Sequence, residues 1–302
     1  MSRGPHRSGP HRSGPHRSGP HRSGTAGSTA PDAPDAPDAP AETGVSVVIP
    51  SLDEQHNLTV LLPRLPRTPD GLEVIVVEGG DLERTRTLVD RLCPEATVVP
   101  QARIGKGNAL VTGVSVARGD YVVLLDADCS ADPSEIPAFT AALDAGADMA
   151  KGSRYLDTGG SLDLTGLRSL GNRGLSAVFN ILFRRRFTDL CYGYNAFRTS
   201  SFPLLGLPDP RTPAEKMWGD GFEIETLFTC RAAAAGLRIT EVPSLERRRL
   251  HGRSNLNAWS DGWRVLFTLL REWAGTVLQV SDDHLPRIRG WMPRAPGQHT
   301  FR

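Results

Sequence analysis

Two aspartates separated by one small residue are the strongest candidates for chemistry in this sequence. Asp126 and Asp128 follow an apolar run, Tyr121 to Leu125, with Ala127 between them. Because side chains alternate along an extended chain, the two carboxylates are expected to point to the same side, with Ala127 leaving space for a ligand. Paired carboxylates suit Mg²⁺ or Mn²⁺ that also contacts substrate phosphates. The alternative is turn or capping chemistry, because aspartate also begins helices.

Lys106 is the second candidate. It lies between Gly105 and Gly107 at an expected helix start, where free backbone N–H groups would help it to bind an anion. The alternative is a loop lysine in solvent. The chain contains neither a G-x-G-x-x-G fingerprint after its first strand nor a phosphate loop of the form G-x-x-x-x-G-K-[ST]. Dehydrogenases and phosphate-loop hydrolases are therefore disfavoured.

Strands and helices are predicted to alternate around these residues. Short apolar runs that end in Pro, Gly or Asp indicate strands buried on both faces, at Val45 to Pro50, Glu73 to Val77, Thr97 to Pro100 and Tyr121 to Leu125. Helical spacing lies between them, at about 54–65, 81–92 and 105–118. This order predicts an α/β fold with a mostly parallel sheet flanked by helices. Ligands bind such sheets at the carboxyl ends of the strands, which here carry Ser51 to Glu54, Glu78 to Asp81 and Asp126 to Asp128.

Composition divides the chain into three parts. Residues 1–44 contain four Gly-Pro-His-Arg-Ser repeats and three Pro-Asp-Ala repeats, which offer no apolar face and predict a disordered tail. Residues 45–282 are predicted to form the folded domain, and residues 283–302 a loosely ordered C-terminal tail.

The net charge of the chain and the lengths of its apolar stretches limit the kinds of partner and the location that we expect. The net charge is only +1, with 35 basic and 34 acidic residues, which disfavours nucleic acid as a partner. We find no uninterrupted apolar stretch of about 18 residues, and the N-terminus lacks the apolar core of a secretory signal, so we expect a cytoplasmic location.

Two segments bear on contact with the inner face of the cell membrane. Leu175 to Phe187 combines apolar residues with Arg184, Arg185 and Arg186, which favours peripheral contact with anionic headgroups. Between Trp263 and Val280, apolar residues recur at helical spacing, and we expect this apolar face to lie in the protein core instead.

Several motifs in order resemble the family 2 glycosyltransferases of the GT-A fold, and within them the polyprenyl (dolichol) phosphate hexosyltransferase branch. The likeness runs from Val45 to about Leu256. The motifs are VSVVIPSLDEQHNL, GKGNAL, ARGDYVVLLDADCSADP, KGSRY, GYNAFR, GDGFEIET and EVPSLERRRLHGRSNL.

The resemblance implies roles for individual residues. Nucleotide-sugar contacts would come from Pro50, Leu52, Glu54, Glu78, Lys106, Asp126, Ala127, Asp128 and Arg249. Asp126 and Asp128 would hold Mg²⁺ or Mn²⁺ on the diphosphate, and Arg154 and Arg168 would bind an acceptor phosphate. Ser130 and His251 are weaker candidates for the metal shell. The implied reaction is an inverting transfer of a hexose from a nucleotide diphosphate sugar to a polyprenyl phosphate.

Two alternatives remain open from the sequence. If the acceptor is a glycan or small-molecule hydroxyl, a general base is needed, and Asp189, Asp220 and Glu223 are the candidates, although Asp220 could instead cap the helix expected from Gly221 to Ala235. The second alternative is a non-catalytic sugar-nucleotide-binding protein. It is suggested by Glu78-Gly79, which stands where the family has paired aspartates.

Overall fold

The computed structural model describes residues 44–67, 71–213, 216–251 and 258–283. Apart from Gly44 and Asp283, the predicted tails 1–44 and 283–302 lie outside these ranges. Their disorder stays a prediction, as does the extent of the 45–282 domain.

Nine strands lie in the described chain, seven of them in one sheet. They are β1 (Val45–Ser51), β2 (Glu73–Glu78), β3 (Thr97–Pro100), β4 (Tyr121–Leu124), β5 (Met149–Ser153), β6 (Gly160–Ser161), β7 (Asn195–Arg198), β8 (Ile239–Pro243) and β9 (Leu245–Glu246). The main sheet has the order β3-β2-β1-β4-β7-β5-β8, and β6 pairs separately with β9. Only β7 runs antiparallel to its neighbours β4 and β5. The predicted α/β fold with a mainly parallel sheet is confirmed.

Seven α-helices pack on this sheet within the described ranges. They are α1 (Gln55–Leu61), α2 (Leu82–Leu92), α3 (Lys106–Val116), α4 (Ile136–Asp144), α5 (Gly166–Phe183), α6 (Ile224–Ala234) and α7 (Ala258–Asp283). One apolar core lies between the sheet and α1, α2 and α4, and a second lies between the sheet and α3 and α6. The central strands are buried on both faces because valine and isoleucine fill both layers. Strand β3 is the exception, since it lies at the sheet edge and is only half-buried.

A smaller apolar cluster joins helices α5, α6 and α7. It contains Phe179 of α5, Cys230 of α6 and Leu269 of α7. Two polar contacts from Glu272 of α7 add to it, at 3.0 Å from Arg231 Nε and 3.1 Å from Trp218 Nε1. These contacts fix α7 against the body of the domain.

The expectation that the α7 stripe is core is wrong for much of that stripe. Trp263 is 65% exposed, and Leu270, Trp273 and Val277 are also exposed, because the buried side of the helix passes through Thr268 and Leu269 instead. On α5, Ile181 is 77% exposed, next to exposed Arg184 and Arg186. No helix in the described ranges is long and apolar enough to cross a membrane.

Candidate active site

A cavity of about 370 Å³ opens at the carboxyl edge of the sheet. Its walls come from the start of α3, the segment after β4, the end of β5 and the helices α5, α6 and α7. Asp126, Asp128 and Lys106 all line it, so the fold brings the first two candidate sites together. Segments that follow several parallel strands lie at this edge, which is where α/β sheets bind ligands.

Each aspartate already has a cationic partner. Lys106 Nζ lies 2.8 Å from Asp126 Oδ2 and 2.5 Å from Glu225 Oε1. Burial of Lys106 alone would lower the pKa of its ammonium group, but Asp126 and Glu225 outweigh burial and raise that pKa above its ordinary value. Lys106 therefore stays charged, and its two ion pairs connect the start of α3 with the end of β4 and with α6.

Asp128 is held by the loop after β9. Arg249 Nη2 lies 2.8 Å from Asp128 Oδ2, and its Nη1 lies 3.5 Å from Glu54 Oε1. The main chain of this loop also pairs with the segment after β4, because Leu250 N donates to Asp128 O and Arg247 N to Ser130 O. Arg249 thus lies at the end of the cavity where a diphosphate would meet Asp128.

The two aspartates fit a divalent cation that is shared with substrate. Both face the cavity, and the Asp126 side chain remains 33% exposed. No cluster of three or more His, Cys, Asp or Glu ligands occurs in the described chain, so an ion here would need further oxygens from water or a bound diphosphate. His251 is not among the residues that line the cavity, and its ring lies 6.2 Å from that of His56. Ser130 does line it.

Two glycines and a buried ion pair set the position of Lys106. Gly105 has φ +134°, and a Cβ on Gly107 would lie 1.8 Å from the Gly219 carbonyl oxygen, so α3 begins in direct backbone contact with the 219–220 turn. Arg103 donates to both carboxylate oxygens of Asp220 at 2.8 Å and to three carbonyls of the 209–212 segment. Nothing in the sequence around Arg103 signals this role.

Gly107→Ala is expected to destabilise the protein by roughly 1–3 kcal/mol, because the new methyl group overpacks against main chain that cannot rotate away. Urea unfolding measures this change. The matched control is Gly174→Ala on α5, where a Cβ meets nothing within 4 Å and alanine should stabilise the helix by up to about 1 kcal/mol. Equal stability of the two variants would contradict the packing argument.

The geometry does not support Asp220 as a general base or as a helix cap. Its carboxylate is 1% exposed and bound to Arg103, and it lies outside the cavity lining. Helix α6 begins at Ile224 with Glu223 before it, and no side chain caps it. Glu223 accepts from Gly219 N and Gly221 N at 3.2 Å. The acid of this motif that contacts a cavity cation is Glu225, the partner of Lys106.

Arg154 and Asp189 form a buried pair with each other. Arg154 Nε and Nη2 donate to Asp189 at 2.7 and 3.0 Å, and Nη1 donates to Glu246 at 3.0 Å. Burial would raise the pKa of Asp189, but Arg154 outweighs it and lowers that pKa. Asp189 is fully buried and is therefore not placed to accept a proton from substrate. Arg154 also lines the cavity, and its contact with an acceptor phosphate stays a prediction.

The remaining predicted residues lie in different surroundings. Arg168 on α5 lines the cavity, 3.9 Å from Asp163. Glu78 is 2% exposed and accepts from Ser51, Thr85 and the N–H groups of Asp53 and Gly80, so its hydrogen-bonding capacity is used within the fold. Contact of Glu78 with the nucleotide stays a prediction.

The other predicted nucleotide contacts lie along the same sheet edge. Ala127 is 3% exposed, and its methyl group packs in the core instead of facing the cavity. Pro50 lies in β1, and Leu52 is 62% exposed just beyond it. Glu54 adjoins the cavity through Arg249. Contacts of Pro50, Leu52 and Glu54 with a nucleotide stay predictions.

The fold and this site define a nucleotide-diphospho-sugar transferase of the GT-A type. Residues 46–204 match the family model described as glycosyl transferase family 2. The chain belongs to that family, and the glycosyltransferase class expected from its motifs is confirmed.

Relatives and solved structures agree with this assignment. An uncharacterized glycosyltransferase of Mycobacterium tuberculosis is 30% identical over 234 residues, covering 75% of this chain and 99% of the relative. A polyprenol monophosphomannose synthase of Mycolicibacterium smegmatis is 29% identical over 259 residues, covering 83% and 89%. The crystal structure of glucosyl-3-phosphoglycerate synthase from Mycobacterium tuberculosis with Mn²⁺, UDP and glucosyl-3-phosphoglycerate has a TM-score of 0.58 and 24% identity over 78% of this chain and 81% of that one. This last likeness supports the fold alone.

Proposed function

We propose that this enzyme transfers a hexose from a nucleotide diphosphate sugar to a polyprenyl phosphate. The main support for a phosphate acceptor is that all three side chains considered as a general base are bound by other groups of the protein. Asp189 is bound by Arg154, Asp220 by Arg103, and Glu223 by two backbone N–H groups. A sugar or alcohol acceptor needs such a base, whereas a phosphate oxygen is already ionised near neutral pH.

The lining of the cavity supports an amphiphilic acceptor. It combines Asp126, Asp128 and the cations described above with apolar side chains of α5 and α7, namely Leu167, Leu175 and Val265. A phosphate with a hydrocarbon chain would satisfy both kinds of surface. The polyprenol monophosphomannose synthase among the relatives points to the same acceptor class.

The chemistry follows from the charges. Hexose transfer to a phosphate oxygen breaks the bond between the anomeric carbon and the nucleoside diphosphate, so negative charge grows on the leaving group. Lys106 and Arg249, which both line the cavity, would stabilise that charge where it develops. Asp126 and Asp128 would hold Mg²⁺ or Mn²⁺, which would supply further neutralisation of the diphosphate. A single in-line displacement of this kind inverts the anomeric carbon.

The exposed apolar side chains of α5 and α7 suggest how a membrane-bound acceptor would be reached. Trp263, Phe267 and Ile181 are each more than half exposed, and exposed Arg184 and Arg186 lie at the end of α5. Apolar rings beside arginines suit the surface of an anionic bilayer. We therefore include peripheral membrane contact in the proposed function.

The test is release of nucleoside diphosphate from a panel of nucleotide sugars with Mn²⁺, with and without a polyprenyl phosphate presented in anionic or neutral vesicles. We expect release to depend on the lipid phosphate for at least one donor and to be faster with anionic vesicles. Transfer only to hydroxyl acceptors would overturn the lipid phosphate, and donor binding without turnover under every condition would favour a binding protein. Equal rates of nucleoside diphosphate release with anionic and neutral vesicles would contradict the proposed membrane contact.

A further inference from the structure

Residues 191–194 form one wall of the cavity, in the segment between α5 and β7. Three consecutive carbonyl groups of this wall accept hydrogen bonds from residues of β5 and β7. The pairs are Tyr192 O with Lys151 Nζ at 2.9 Å, Gly193 O with Asn195 Nδ2 at 3.0 Å, and Tyr194 O with Gly152 N at 2.8 Å. The position of the wall therefore depends on these three donors.

Lys151 differs from the other two donors because it is a charged group inside the domain. Its side chain is fully buried, and its neighbour across the sheet is Asn195. Burial lowers the pKa of its ammonium group, and the carboxylates of Asp189 and Glu225 offset part of that effect. A buried ammonium group is costly for the fold, whereas an apolar side chain of similar length is not. This cost makes Lys151 a candidate for a functional role.

The wall in turn contacts the groups around Lys106. Gly193 leaves no space for a side chain, because a Cβ at this position would overlap the carboxylate of Glu225. Glu225 Oε1 is the ion-pair partner of Lys106 Nζ, at 2.5 Å. A displacement of the wall would therefore reach Glu225 and, through it, the cavity cation Lys106.

We infer that Lys151 is a positioning residue for glycosyl transfer. Its hydrogen bond to Tyr192 O fixes the 191–194 wall, and the wall fixes Glu225 against Lys106. Lys151 is not among the residues that line the cavity, so it acts through the wall and not on the substrate. The inference requires the transferase activity of the family, but it does not depend on the choice of donor or acceptor.

The experiment compares the wild type with Lys151→Met, which replaces the ammonium group by an uncharged chain of similar length. Cys191 is the probe, since it lies in the wall, whereas the other three cysteines are buried. We expect N-ethylmaleimide to label Cys191 about 10-fold faster in Lys151→Met, because the wall opens more often without this hydrogen bond. Mass spectrometry of the peptides gives the labelling rate of each cysteine.

The direction of the change separates positioning from a purely electrostatic effect. Burial and Asp189 raise the pKa of the Cys191 thiol to about 12, and Lys151 offsets part of that rise. Loss of the Lys151 charge alone would therefore leave less thiolate and slow the labelling. Faster labelling of Cys191 with unchanged labelling of Cys230 supports local positioning. Slower or unchanged labelling of Cys191, or an equal increase at Cys230, would overturn the inference.

Turnover gives a second readout. With any donor that releases nucleoside diphosphate, Lys151→Met should lower kcat about 10- to 100-fold, the loss that small displacements of positioning groups cause. An unchanged kcat would contradict the role of Lys151 in the reaction. The labelling needs no substrate, so its result is independent of whether the proposed acceptor is correct.

Two further variants complete the test. Lys216→Met changes an exposed lysine outside the cavity lining and is the matched control, which should alter neither labelling nor turnover. Lys151→Gln keeps a hydrogen-bond donor without the charge, so its labelling rate should lie between those of the wild type and Lys151→Met. The same comparison with the wild type can be made on Lys151→Gln if Lys151→Met does not fold.

Discussion

Replacing Asp128 with asparagine is expected to lower the rate of hexose transfer by a factor on the order of 10³, because several kcal/mol of leaving-group stabilisation depend on that carboxylate. The change preserves the size of the side chain but removes the charge that pairs with Arg249 at 2.8 Å. Both the rate of nucleoside diphosphate release and its dependence on Mn²⁺ concentration should change.

A second measurement separates lost chemistry from lost folding. The thermal stabilisation that Mn²⁺ and nucleoside diphosphate give the wild type should be largely absent in Asp128→Asn, while the midpoint without ligand should stay near that of the wild type. Asp90→Asn, an exposed aspartate on α2, is the control and should retain full activity. If Asp128→Asn kept more than about a tenth of the activity with the same Mn²⁺ dependence, the metal assignment would be wrong.

Replacing Asp189 with asparagine is expected to cost about 3–5 kcal/mol of unfolding free energy, because it leaves the Arg154 guanidinium buried without its main counter-charge. Asp189 accepts four hydrogen bonds, from Arg154 Nε, Nη2 and backbone N and from Asn172 Nδ2, at 2.7–3.1 Å. Urea denaturation measures the loss. An exposed pair provides the comparison, since Arg86→Met should cost no more than about 1 kcal/mol.

The unfolding free energy that Asp189→Asn loses is expected to depend on pH. Arg154 holds the pKa of Asp189 below its ordinary value, so the unfolded chain binds the proton more readily than the folded one. The stabilisation from this carboxylate is therefore complete above about pH 4 and is lost as the pH falls through the lower, folded-state pKa. The stability difference between wild type and Asp189→Asn should be constant near neutral pH and shrink in acid. A loss below about 1 kcal/mol at pH 7 would show that the pair is not structural.

The sequence was most informative where a local pattern decides the structure. The four apolar runs lie within a residue or two of the observed strands β1 to β4, because β-branched residues ending in Pro, Gly or Asp specify a buried strand locally. The location of Lys106 and Asp126 at one edge also follows from the parallel strands, although their contact does not, because β3 and β4 are separated in the sheet by β2 and β1.

The sequence was least informative about partners distant along the chain. Arg154 and Asp189 are 35 residues apart and Arg103 and Asp220 are 117 apart, so their pairing depends on how separate segments pack. Motif position suggested ligand contacts for Arg154 and catalysis for Asp189 and Asp220, but it did not indicate that all three form buried ion pairs. The α7 stripe was misassigned for a related reason, because helical spacing defines a stripe but does not say which neighbour covers it.

Helix α7 meets the cavity and the body of the domain through different residues. Gly262, Arg264 and Val265 line the cavity in one turn, whereas Thr268, Leu269 and Glu272 attach the helix in the turns that follow. Because the two groups share no residue, the side chains that line the cavity can be exchanged without removing the contacts that attach the helix.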